Sequence, residues 1–246
     1  MGKLIHVELY KLHTTRAPLI LLAVSQLVIA GGVSGLAVSG EDLRTATTLS
    51  RALGHAGLAS LLTLVLGIMA VAGEYRNRTI TDTYLSTPRR GRVVLAKVYA
   101  YAAAGAVFGV VNACTALVAV AVWWEAKGVP LRLTGDGVWH TIIGCFVWNI
   151  AFAVIGVGIG ALVRNLAAAI GVALAWIALV EGIVGQLIGD LARWLPFAGG
   201  SALADLTVSG GTVRPLSQPV AGLVLVAYAA LFAVVAVSTT VRRDVT

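Results

Sequence analysis

The sequence is short of charge. Only 12% of its 246 residues are Asp, Glu, Lys or Arg, and its mean hydropathy is +0.91. A soluble domain of this size carries about a quarter charged residues, so an ordinary cytosolic enzyme and a disordered chain are excluded. Two cysteines, Cys114 and Cys145, are too few for a disulfide scaffold. Both fall inside apolar runs and read as space-filling thiols. The four His and eleven acids show no metal-ligand spacing. No Gly-x-x-x-x-Gly-Lys-Ser/Thr loop occurs, so that kind of phosphate cradle is missing. Intramembrane serine proteolysis needs a Ser and a His base within reach of each other. His55 and His140 sit near the ends of their runs and make no such pair.

What is abundant is long apolar sequence. Runs of about 18 residues or more cross a bilayer as helices. Six are present, at Ala17–Val38, Ala52–Gly73, Val98–Trp124, Gly137–Val163, Leu166–Gly189 and Pro219–Val241. A sheet edge in lipid would strand unpaired backbone groups, so the expected fold is an all-α polytopic membrane protein. It is expected to form one transmembrane domain over residues 1–246. Small residues four apart (Gly31/Gly35, Gly105/Gly109, Gly156/Gly160, Gly185/Gly189) would let helices approach closely.

Orientation follows from Lys and Arg rather than net charge. Twelve of the 18 (Lys3, Lys11, Arg16, Arg76, Arg78, Arg89, Arg90, Arg92, Lys97, Arg164, Arg242, Arg243) fall on the side of the N-terminus. Both termini are therefore expected in the cytoplasm. The net charge of +7 is explained by orientation, and nucleic acid is not needed as a partner. Trp123, Trp124, Trp139 and Trp194 fall near the opposite interface, where aromatic rings collect. The first run is too long for a cleavable signal peptide. Arg outnumbers Lys 14 to 4, and with the high Ala and Gly content this points to a GC-rich bacterium and its cytoplasmic membrane.

Three segments between runs carry more information than connectors. Met1–Arg16 alternates Leu4, Ile5, Leu9 and Leu12 with charged residues and predicts a short interfacial helix. In Glu74–Lys97, Pro88 disfavours helix at Thr87, predicting a short helix over about Arg78–Ser86 in which Ile80 and Tyr84 share a face. The long connection Asp190–Gln218 has Leu191, Trp194, Leu195, Phe197, Leu203 and Leu206 split by Pro196 and Gly199-Gly200. It predicts two short helices dipping back into the outer leaflet as a re-entrant hairpin, or a structured cap on the bundle. Gln26, Asn112, Asn149, Glu181 and Gln186 are costly side chains within the runs. Gln26, Asn112, Asn149 and Glu181 are candidates to line a pathway, with interhelical hydrogen bonding as the structural alternative. Glu181 could line a path, meet a cationic substrate or accept hydrogen bonds from the outer connection.

The segment after the second run resembles the ABC-2 family of ATP-binding-cassette transporter permeases. The family's Glu, Thr, Leu, Pro, Arg and Lys read here as Glu74, Thr79, Leu85, Pro88, Arg92 and Lys97. A Gly often precedes the Thr in the family; this chain has Arg78. Glu8-Leu-Tyr-Lys11-Leu is similar to the family's opening helix. The resemblance implies a permease subunit that pairs with a second copy, a homodimer by expectation. It implies a separate ATPase subunit that binds ATP and Mg, with no cofactor on this chain, docking on the Glu74–Lys97 loop through Ile80, Tyr84 and Leu85. The expected function is export of an amphiphilic substrate such as a drug, antibiotic, peptide or lipid-linked molecule. A secondary transporter or channel using Glu181, or a silent membrane anchor or immunity protein, are the alternatives. Internal repeats, common in secondary transporters, are absent from the sequence.

Overall fold

The computed structural model describes all residues except 88, 132, 134, 135, 207–213 and 243–246, and gives backbone alone for Asp82, Tyr84, Ser86, Asp136, Val241 and Arg242. Among the described residues there are helices and no strands. Six helical segments are long and apolar enough to cross a membrane. The first is α2 (Arg16–Val38), preceded by the short α1 (Gly2–Thr14). The second is built from α3 (Ala46–Leu58) and α4 (Ser60–Arg76), which meet at a break at Ala59. After α5 (Ile80–Ser86) come α6 (Arg90–Ala126) and α7 (Asp136–Val163). The fifth segment runs through α8 (Leu166–Ala175), a π-helical turn (Trp176–Glu181) and α9 (Gly182–Leu187). Two short helices, α10 (Gly189–Ala192) and α11 (Pro196–Leu203), precede the sixth, α12 (Gln218–Arg242).

The second segment starts six residues earlier than its apolar run suggests. Thr45 caps α3, accepting the Thr48 N–H at 3.2 Å, and Arg51 within that first stretch pairs with Glu41 at 2.9 Å. A cap and an ion pair thus carry the helix past the end of the hydrophobic signal. The third also overshoots its run. At 37 residues it is about 55 Å long, well beyond the ~30 Å hydrocarbon core, so it tilts or projects. The turn from α7 to α8 is tight. Arg164 takes a left-handed φ of 56°, its guanidinium lies 5.2 Å from the centre of the Tyr75 ring, and Asn165 caps α8 by accepting the Ala168 N–H at 3.0 Å.

The bundle is centred on α4 and α7, which pack most heavily on each other, with α6 and α12 along α7. The windows of the second and fourth spans are 67% buried, whereas those of the first, fifth and sixth are 17% buried. Side chains such as Leu27, Val107, Leu187 and Leu223 therefore face outward, as lipid-facing residues do. Close approach at the centre rests on glycine. A Cβ on Gly67 or Gly156 would collide with the backbone of the facing helix, and one on Gly160 would lie 2.6 Å from the Ile68 carbonyl. Gly105 and Gly109 pack likewise on α7. The spacing pattern overstates the rest: a Cβ on Gly31 or Gly35 would meet nothing within 4 Å, and Gly185 meets only Ala192. Trp124 departs from the interfacial reading, being 2% exposed in the core, while Trp139 and Trp194 are exposed.

Candidate coupling site and intramembrane polar clamp

The chain leaves α4 through a sharp reversal. Asn77 and Arg78 donate back to the Gly73 and Tyr75 carbonyls, and Thr79 donates to the Glu74 carbonyl at 3.0 Å. Arg78 closes the turn with φ 57°, in the left-handed region where a Cβ costs roughly 1 kcal/mol or more. This is the position where the family resemblance expects Gly, and the geometry explains that preference. Arg78→Gly is expected to leave the fold unchanged and raise thermal stability modestly, by about 0.5–1 kcal/mol. Thermal unfolding of the purified chain in detergent checks this; lowered stability would contradict the strain.

From that turn α5 runs for seven residues. Ile80 is 4% exposed and packs on Val93 and Tyr75, so it pins α5 to the start of α6. Leu85 is 75% exposed and points away. Of the face expected from Ile80 and Tyr84, Ile80 holds the helix from within; the Tyr84 side chain and Pro88 lie outside the described residues. Arg92 is exposed on the first turn of α6.

Below α5, four charges from three elements meet. Lys97 of α6 donates to Glu8 at 2.9 Å and to Glu74 at 2.7 Å. Lys11 of α1 donates to the same two carboxylates, at 2.9 and 2.7 Å. The Lys97 and Glu8 side chains are 2% and 5% exposed. Two acids and two bases cancel, which makes burial tolerable. For Lys11, burial pulls the pKa down, but the Glu74 and Glu8 carboxylates outweigh it and the net shift is upward. Its contribution is therefore complete below the ordinary lysine pKa and is lost only as pH rises through the raised one. A cavity of about 410 Å³ opens beside the cluster between α1, α5 and α6, touching Val7, Lys11, Thr83 and Thr87.

Deeper in the bundle a chain of amides crosses four spans. The Asn112 side-chain Oδ1 accepts from Ser25 at 2.9 Å and Gln26 at 3.0 Å, while Thr115 donates to the Gln26 side-chain Oε1. Asn112 donates to Asn149 at 3.2 Å. Asn149 in turn donates to the carbonyls of Ala56 (3.1 Å) and Cys145 (2.8 Å), and Thr63 donates to its backbone oxygen. Asn112 and Asn149 are fully buried and face each other rather than an opening in this chain. Gln26 is half-buried at the edge. Glu181 lies apart from them. Its carboxylate accepts the Phe197 N–H at 3.0 and 3.2 Å and the Ala198 N–H at 3.2 Å, the first turn of α11.

A sequence model for a family described as "ABC-2 family transporter protein" matches residues 33–195. The chain belongs to the ABC-2 transporter family. Comparison with curated proteins returns no match. Family membership makes the chain the membrane component of an ATP-binding-cassette transporter, a transport subunit that is not itself catalytic. The matched stretch contains α5, Glu74, Lys97, both amides and Glu181, while Glu8 and Lys11 precede it. Among the described residues no group of His, Cys, Asp and Glu is placed to hold a metal.

The four charges are each visible in the sequence, but their meeting is not. Glu8 and Lys97 are 89 positions apart, and nothing in local periodicity says that α1 folds back onto α6. The usable signal is the balance of two acids and two lysines, with Glu74 and Lys97 adjoining the ends of apolar runs and Glu8 and Lys11 on the segment before the first.

Proposed function

We propose that this chain is the membrane-spanning subunit of an ATP-driven exporter, with α5 as the docking point for a separate ATPase subunit that binds ATP and Mg. The observation that carries this reading is the mounting of α5. Ile80 fixes it from inside, Leu85 stands free, and the ion-paired Glu74 and Lys97 brace the two helices on either side. A short helix anchored at Ile80, with a free apolar side chain, suits transmission of force from a partner better than a passive loop would. The excess of Lys and Arg at that end supports a cytoplasmic location for α5 and both termini, in a bacterial cytoplasmic membrane. Two copies would pair as a homodimer. The apolar outer faces of the spans suit an amphiphilic substrate, and α11, seated beside Gly144 and Trp148 of α7, fits a hairpin that re-enters the outer leaflet.

A proton- or cation-coupled transporter would need Glu181 free to titrate or bind an ion. Its carboxylate is instead occupied by two backbone N–H groups, which favours the exporter. Co-expression with an ABC-type ATPase subunit from the same genome, followed by native mass measurement of the purified complex, tests the proposal. Two permeases with two ATPase subunits is the expected composition. A permease that yields no ATPase adduct even on crosslinking in native membranes would overturn it.

A further inference from the structure

We propose that the outer half of the fifth span is a lateral gate, hinged at the π-helical turn Trp176–Glu181 and latched shut by the Glu181 carboxylate on the first turn of α11. The two halves of this span are held very differently. The inner half, α8, buries Ala169 and Ala173 against α4 and α7. The outer half, α9, buries no residue within its own chain; Ile183 and Leu187 are 54% and 77% exposed there. Between them lies a π-helical turn, a looser backbone ladder that recurs where helices bend for function.

The other side of the latch is packed tightly into the bundle. A Cβ on Gly200 of α11 would collide with the Trp148 indole, and Gly144 of α7 abuts the Leu203 carbonyl. Phe197 of α11 adds an edge contact to Trp148 at 5.4 Å between ring centres. α11 is thus built into the bundle, and Glu181 is what ties the π turn to it. Hydrogen bonds from backbone N–H groups at a helix start to a carboxylate are charge-assisted and strong, yet confined to one side chain. One event at Glu181 can release them together. Glu181 is therefore a positioning residue for the outer exit, and its bearing on export rests on the transporter reading above.

The latch can be tested on the permease alone, so its failure and that of the exporter reading are separable. Spin labels at Leu187→Cys on the outer half and Val122→Cys on α6 would report their separation by pulsed electron resonance in lipid nanodiscs. Exposed Cys114 is changed to Ala in this background, and Cys145 is buried. With doubly labelled protein diluted into unlabelled protein, so that only the distance within one protomer is read, a narrow distribution is expected with Glu181 intact. Glu181→Gln should raise a longer-distance population roughly tenfold, as loss of a charge-assisted hydrogen-bond pair implies. Glu181→Asp, which keeps the charge on a shorter arm, should fall between, and it carries the test if the Gln variant does not purify as a monodisperse protein. Unchanged distances in the folded variants would overturn the latch, as would an Asp variant no closer to the native distribution than Gln.

Discussion

Replacing Lys97 with Met is expected to lower stability by about 3–5 kcal/mol, the range for a buried ion pair broken on one side. The Lys97 side chain is 2% exposed and serves two carboxylates at 2.9 and 2.7 Å. Removing it leaves Glu8 and Glu74 sharing Lys11 alone, and Glu74 already has one buried oxygen without a hydrogen-bond partner among the described residues. The damage should be partly reversible. Glu8→Gln in the Lys97→Met background removes one uncompensated charge, so the double variant should recover about 1–3 kcal/mol relative to the sum of the singles. Unfolding in mixed micelles, read by tryptophan fluorescence, measures the cycle. Strict additivity would mean that the four charges do not act as one cluster.

Gly156→Val is the second large effect. A side chain there would collide with the Leu64 carbonyl of α4, which is backbone and has no rotamer to yield. The α4–α7 contact is the most extensive in the bundle, and both helices would have to separate. Overpacking of that kind costs about 1–3 kcal/mol where neighbours can adjust and more where they cannot, so the variant is expected not to yield monodisperse protein. Gly31→Ala is the matched control: its Cβ meets nothing within 4 Å, and it should behave as wild type. Size-exclusion profiles of the two variants, purified in parallel, decide the point. A well-behaved Gly156→Val would mean the helices are not in close contact.

These effects show what was legible in the sequence. Six spans followed from hydropathy alone, because a bilayer demands length and apolarity and little else. The short helix before Arg89 was also readable, ending where Pro88 follows Thr87. Packing was not. Of the four glycine pairs, those on α6 and α7 are buried in contacts while Gly31/Gly35 face outward, since spacing sets a stripe on one helix and not which neighbour it meets. Ile80 and Tyr84 share a face by spacing, but the fold turns Ile80 inward onto Val93. Asn112 and Asn149 stood out as polar residues in apolar runs, and only the three-dimensional arrangement shows that they bond each other. For Glu181, the sequence allows hydrogen bonding to the outer connection among three readings; the amides that make those bonds, Phe197 and Ala198, lie 16 and 17 positions along the chain.

The most direct test is a photoreactive amino acid placed at position 85, with an ABC-type ATPase subunit from the same genome co-expressed and membranes irradiated before solubilisation. Leu85 is 75% exposed on α5, so the account predicts an ATPase adduct from this position and none from Leu187 on the far half of the fifth span. An ATPase that copurifies with the chain but crosslinks only elsewhere, with position 85 silent, would contradict docking on α5.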